Sequence, residues 1–301
     1  MNNRFFIPFL LAGFLLLNCL GCGSSSRKDK DTDGKKSNGS ETSIRAEGSD
    51  TMVNLAQAWA ETYHGKRADV NIQVLGGGSG VGIASLINGT CDMANASRKM
   101  KDKELQSAVK KSGVEPVEHI VGYDALAVYV HKDNPIDSIS IEELAEIYGD
   151  GGKITDWSQI EGGKKLEITR VSRQNNSGTY AYFREAVLGK NRDYKLGSID
   201  QSGSKDVVAL VSKTPGAIGY SGMGYATPEV KMLKISKKKG EPGTAPTMEN
   251  AIKGAYPITR PLHIYTLGEP EGVVAEYLEW INSEEGQAVV SELGYVPAAK
   301  K

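Results

Sequence analysis

The sequence is poor in the residues that metal, redox and disulfide chemistry require, with three cysteines and four histidines in 301 residues. Cys19 lies within an N-terminal leader and Cys22 directly after it, both ahead of the folded part, so Cys91 is the one thiol of the folded part and no intramolecular disulfide is available even in an oxidising compartment. His64, His119, His131 and His263 are nowhere paired at ligand spacing, and neither a metal nor another cofactor is expected. An excess of one charge is missing too: 36 basic side chains face 37 acidic ones, which excludes the basic surplus of a nucleic-acid binder. Loss of Arg4 with the leader shifts the balance by one further negative unit, so no long-range field attracts anions and any anion selectivity must be local.

The common catalytic signatures are absent as well. The glycine run "GGGSGVG" lacks the Lys-Ser/Thr ending of a phosphate loop, because Ile83 follows Gly82, and Val81 occupies the third glycine position of the dinucleotide fingerprint. Neither Ser79 nor Ser177 lies in a Gly-x-Ser-x-Gly elbow. No catalytic residue is assigned and the chain reads as a non-enzyme. A phosphoesterase stays open as an alternative, since a cradle for anions also serves catalysis. No internal repeat of solenoid period is present.

What is present begins with export. Arg4 precedes the apolar run "FFIPFLLAGFLLL", which has the length of a signal-peptide core and is too short to span a bilayer comfortably. Residues 1–21 are read as that leader. Cys22, with Gly21 before it and a polar tract after it, resembles the acylated cysteine of a bacterial lipobox, although Cys19 stands where that pattern prefers Leu. Residues 22–43 then form a lipidated tether without large apolar side chains beyond the cysteine, unable to bury enough surface to order itself.

From Ile44 onward, β-prone runs alternate with helical periodicity. "SIRA" leads through "EGSDT" to "MVNLAQAWAETY", whose Val53, Ala56, Trp59 and Ala60 share a face. "VNIQVL" leads through "GGGSG" to "VGIASLING", and "LEITRVS" leads through "RQNNSG" to a helix that Gly189 stops. Three strand, loop, helix units imply an α/β fold with a mostly parallel sheet. "ALAVYVHK", "AIGYSG" and "PLHIYTLG" read as buried strands, residues 272–294 as a helical finish, and "KISKKKGEPG" as a solvated hairpin or loop.

Each of the three units places Ser or Thr together with Gly where a helix begins. The first helical turn leaves N–H groups unpaired and carries about half a positive charge; hydroxyls add donors and glycine permits close approach. Capping alone explains any single junction. Three of them, delivered by strands of one sheet to the same edge, make an oxyanion cradle, and Arg173 just ahead of the third supplies a guanidinium fork suited to a tetrahedral oxyanion.

These residues resemble the periplasmic phosphate-binding proteins of ABC transporters, the substrate-binding lipoproteins of the high-affinity phosphate uptake system. The likeness rests on "GSDTM", "GGGSGVGIASLINGTCDMANAS", "IYGDGGKITDW", "RQNNSGT", "TPGAIGY", "YPITRPLHIYT" and "EEGQAVVSELGYVP", all in the family's order. It implies a two-lobed periplasmic binding protein of type II, a Venus-flytrap clamp, each lobe a mostly parallel sheet flanked by helices. Lobe one would comprise residues 44–122 plus 263–301 and lobe two residues 123–262. The family's phosphate contacts then fall on Thr51 and Met52 (by backbone N–H and the Thr51 hydroxyl), Ser79, Arg173, Ser177, Gly178 and Thr179.

One departure bears on specificity. The family's binding aspartate, which accepts the proton of hydrogen phosphate, falls at Ser97, with Arg98 next. A carboxylate acceptor is the physical means of preferring protonated phosphate to sulfate. Asp50 is the candidate replacement, with helix capping as its other reading, and Asn175 stands where some relatives carry an acid near the arginine. The expectation is therefore a lipid-anchored, monomeric, extracytoplasmic protein in the periplasm or on the cell surface that captures inorganic phosphate and delivers it to a membrane-embedded ABC permease, with a sulfate or molybdate binder as the alternative.

Overall fold

The computed structural model describes residues 42–298, so the leader, Cys22 and nearly all of the tether lie outside the described residues. Chain order opens with β1 (Thr42–Gly48), α1 (Val53–His64), β2 (Val70–Leu75), α2 (Ser79–Asn88), β3 (Met93–Ala96) and α3 (Asp102–Ser112). The long β4 (Pro116–His131) follows, then β5 (Ser138–Ser140), α4 (Ile141–Tyr148), β6 (Thr169–Arg173), α5 (Gly178–Phe183), β7 (Ile199–Gln201) and α6 (Ser204–Val211). The remainder is β8 (Ala217–Gly222), β9 (Val230–Met232), β10 (Lys234–Ser236), α7 (Met248–Ile252), β11 (Thr259–Leu267), α8 (Gly272–Ile281) and α9 (Glu284–Glu292).

One curled mixed sheet runs through the molecule in the order β2-β1-β3-β11-β4-β8-β6-β7, with β9 also on β4 and with β5 and β10 forming a separate pair. The strands that lead into helices pair in parallel: β1 with β2 and β3, and β6 with β7 and β8. The two connecting strands pair antiparallel and make the sheet mixed rather than mostly parallel. β4 lies against β11 along residues 116–125 and against β8 along residues 126–130. Its residues from Ala125 to Val130 are buried on both faces, which is why they read as a nearly unbroken apolar run.

The buried side chains form two halves. One gathers Ile44, Leu55, Trp59, Met93, Val121, Leu262, Ile281 and Val290, with Ile83, Leu86 and Tyr265 beside it. The other gathers Ala125, Val128, Leu144, Trp157, Phe183, Tyr220 and Ile258, with Val171, Val207 and Val211 beside it. The chain passes from one half to the other between Val121 and Ala125 and back between Ile258 and Leu262. There β4 carries one residue more than β11, because Leu262 pairs with Gly122 but His263 pairs with Ile120, skipping Val121.

Three local differences from the sequence reading have clear causes. α1 turns Leu55, Ala56, Trp59 and Tyr63 inward, leaving Val53 and Ala60 half-buried, because the Trp59 indole donates to the Gly286 carbonyl at 2.7 Å. The C-terminal helical run is two helices: the Ser283 hydroxyl accepts from Gly286 N and Glu284 and Glu285 follow, which is a fresh helix start. The helix after Ser177 is α-helical only to Phe183 and continues as a wider π turn over Arg184–Leu188, ending at Gly189 with φ +74°. The lysine-rich stretch is the expected hairpin tip, closed by an antiparallel bridge between Ile235 and Thr244.

Candidate functional site

Four loops leave the C-terminal ends of β1, β2, β3 and β6, the edge at which open α/β sheets hold ligands. They meet. The hydroxyls of Thr51 and Thr179, from opposite halves of the molecule, are 2.7 Å apart. A side chain on Gly178 would put its Cβ 2.3 Å from Ser79 Oγ and 2.6 Å from Ser97 Oγ, so only glycine lets the start of α5 approach those hydroxyls.

Helix capping accounts for one hydroxyl of this group. Ser177 Oγ accepts from the backbone N–H groups of Thr179 and Tyr180. α1 and α2 have no side-chain cap: their N-cap residues are Met52 and Gly78, so Thr51 and Ser79 are not held by capping. Ser79 Oγ accepts from Ser97 N at 3.0 Å and lies 3.4 Å from Ser97 Oγ. Asp50 does not cap either; its Oδ1 accepts from Gly77 N at 2.9 Å. Met52 is placed differently from the rest. Its side chain is fully buried in the core around Trp59 and its N–H donates to Ser49 O at 2.9 Å, so it offers the gap no free donor.

The two arginines divide the work in a way the sequence did not announce. Arg173, expected at the anion, is fully buried and turned aside: Nη2 donates to Asp50 Oδ2 at 2.9 Å and Ser202 O at 2.7 Å, Nη1 to Ser204 Oγ at 3.1 Å and Nε to Gln201 O at 3.3 Å. A buried guanidinium needs its donors matched, and these acceptors match four of the five. Burial pulls the Arg173 pKa below its ordinary value while the Asp50 carboxylate opposes the shift.

Arg260 takes the central position. Its Nη2 lies 3.1 Å from Thr51 Oγ1 and 3.0 Å from Thr179 Oγ1, and its Nη1 donates to Ser97 O at 3.2 Å. Nε and Nη2 also donate to Asp124 Oδ2, whose other oxygen accepts from Met223 N at 3.2 Å. The Tyr182 ring supports the guanidinium from 5.5 Å. Neither Asp124 nor Arg260 was singled out by the sequence reading. The available signal was one charge in each of two otherwise apolar strands, "GYDALAVYV" and "ITRPLHIYT", because charges that deep must be paired. Asn175 is exposed, and it is its neighbour Asn176 that touches the glycine loop.

A helix-flanked mixed sheet in two halves, with hydroxyls, glycine and a buried guanidinium meeting between them, defines an anion-binding clamp. A family model described as a PBP superfamily domain matches residues 33–285. The phosphate-binding protein PstS of Pseudomonas aeruginosa is 36% identical over 286 residues, covering 89% of this chain and 86% of that protein. PstS of Bacillus subtilis is 32% identical over 300 residues, covering 98% and 94%. A Clostridium perfringens structure described as a phosphate ABC transporter substrate-binding protein with bound phosphate superposes with a TM-score of 0.77 at 29% identity, over 86% of this chain and all of that one. The chain belongs to the PBP superfamily and, within it, to the family of the PstS phosphate-binding proteins.

Proposed function

We propose that the protein captures inorganic phosphate between its lobes and presents it to a membrane-embedded ABC permease, without chemistry of its own. The observation that carries this reading is the Asp124–Arg260 pair set among hydroxyls from both lobes. Arg260 supplies a charge-assisted donor, and Thr51, Ser79, Ser97, Ser177, Thr179 and the backbone of Gly178 supply neutral ones. Charge-assisted bonds contribute roughly 1.5 to 3 kcal/mol each, and micromolar affinity corresponds to about 8 kcal/mol, so such a donor set suffices after desolvation. Asp124 takes the part of the carboxylate missing at Ser97: it accepts the proton of hydrogen phosphate and repels fully ionised sulfate. Asp50 and Arg173 then serve each other rather than the anion.

The competing enzyme reading needs an activated nucleophile. Among the described residues, Thr51, Ser79, Ser177 and Thr179 bond to one another's loops and to Arg260, and none bonds to a histidine. We take residues 44–122 with 263–301 as one lobe and 123–262 as the other, a division supported by the two buried halves, with Val296 alone packing across it into the second. Cys22 is proposed as the lipidated N-terminus that holds a monomer outside the cytoplasm; loss of fatty-acid labelling in Cys22→Ala tests it. Calorimetry with phosphate, arsenate, sulfate and molybdate tests the ligand. Phosphate and arsenate are expected to bind and sulfate to bind far more weakly; no heat with any tetrahedral oxyanion would overturn the reading.

A further inference from the structure

The run at residues 76–80 holds four glycines, more than a helix start requires. The structure gives them a second neighbour. A Cβ on Gly78, whose φ is +92°, would stand 2.8 Å from Asn176 O, and one on Gly80 would stand 3.2 Å from the same atom. Asn176 belongs to the loop between β6 and α5, on the other lobe. It meets the glycine loop twice, accepting from Gly80 N at 3.0 Å and donating from Nδ2 to Gly77 O at 2.9 Å.

The contact continues away from the cradle. Gly77 N donates to Asp50 Oδ1, Asp50 Oδ2 accepts from Arg173, and the Tyr225 hydroxyl donates to Asp50 O at 2.6 Å. Arg173 and Tyr225 are lobe-two residues, whereas Asp50 and Gly77 are lobe-one residues. The chain of contacts thus bridges the lobes through Asn176, Gly77, Asp50 and Arg173. None of its hydrogen bonds involves the hydroxyls of Thr51 and Thr179, or Arg260 or Asp124, which form the proposed anion cradle.

We propose that Asn176 and Asp50 are clasp residues, which hold the lobes together through the glycine loop and Arg173 and slow the escape of the anion without touching it. The proposal rests on the phosphate-clamp reading above. Contacts made only when the lobes meet raise the population of the closed state, and apparent affinity scales with that population. Three of the four glycines are explained on the same terms: a side chain at residue 78 or 80 would keep Asn176 away, and one at residue 76 would stand 2.7 Å from Asp50 Oδ1.

The test uses the full chain and its Asn176→Ala and Asp50→Asn variants, with stopped-flow phosphate kinetics and small-angle scattering of the ligand-free protein. Each variant is expected to raise the off-rate about five- to tenfold, as the loss of one hydrogen bond implies, leave the on-rate within about twofold, and expand the scattering envelope. Unchanged off-rates and envelopes in both would overturn the clasp. So would tighter phosphate binding by Asp50→Asn, the result expected if Arg173 were an anion ligand that Asp50 competes for. If the unaltered chain binds no oxyanion, the clamp reading fails, and the scattering comparison still decides whether Asn176 and Asp50 hold the lobes together.

Discussion

Asp124 and Arg260 are register partners across β4 and β11, both fully buried, and Asp124 Oδ2 accepts from Arg260 Nη2 at 2.9 Å and Nε at 3.1 Å. They sit where the chain passes between the lobes, so the charged pair belongs at once to the crossing strands and to the proposed anion cradle.

Arg260→Lys keeps the charge but loses the fork that reaches Asp124, Thr51 and Thr179 together. Phosphate affinity measured by calorimetry is expected to fall by about a hundredfold, the equivalent of one to two charge-assisted bonds. Arg260→Ala should in addition lower unfolding free energy by about 3–5 kcal/mol in denaturant titrations, because Asp124 is left buried and unpaired. Lys238→Ala, on the exposed hairpin tip, is expected to change affinity less than twofold.

Asp124→Asn replaces an acceptor-only group by one that can also donate. The ratio of phosphate to sulfate affinity should drop by about tenfold or more, mostly through improved sulfate binding. Competition with labelled phosphate measures it. An unchanged ratio would leave discrimination to some other group.

Gly178→Ala drives a methyl group against the hydroxyls of Ser79 and Ser97. Closure rather than folding is the expected casualty, because Ala suits a helix interior as well as Gly or better. Phosphate affinity should fall by at least about tenfold while the melting temperature changes by no more than a few degrees.

His263 is fully buried at the irregular crossing, with Nδ1 3.1 Å from Glu118 Oε1, and Lys99 and Arg260 also act on it. Burial pushes its pKa down from 6.5 to about 4, with Glu118 opposing. The charged form is thus disfavoured in the folded state. Its contribution is complete above about pH 6.5 and is lost as pH falls towards 4, amounting to at most about 3 kcal/mol. His263→Gln should flatten the pH dependence of unfolding free energy in that window, relative to the unaltered protein.

Much of this was legible in the sequence because it depends on local chemistry. The strand, loop, helix units, the buried strands at "AIGYSG" and "PLHIYTLG", and the loops that carry Thr51, Ser79 and Ser177 follow from periodicity and turn composition. What was not legible depends on pairing between distant segments. Nothing local shows that Arg173 finds Asp50, 123 residues away, or that Arg260 finds Asp124 at a separation of 136. The glycine run suits close approach of an anion, whereas what Gly78 and Gly80 face is the backbone of Asn176. Short strands such as β7 and β9 carry too few residues for a period and form because β6 and β4 offer them an edge.

The passage of β4 and β11 between the halves also orders the birth of the protein. Lobe two is contiguous and has all its buried partners but Val296 once Ile258 has been synthesised, whereas lobe one must wait for β11, α8 and α9, down to the Gly286 carbonyl that receives the Trp59 indole. A chain made amino end first therefore all but completes its later-encoded lobe first and exposes the unfinished face of β1 and α1 meanwhile, so chaperone demand should centre on that amino-terminal segment.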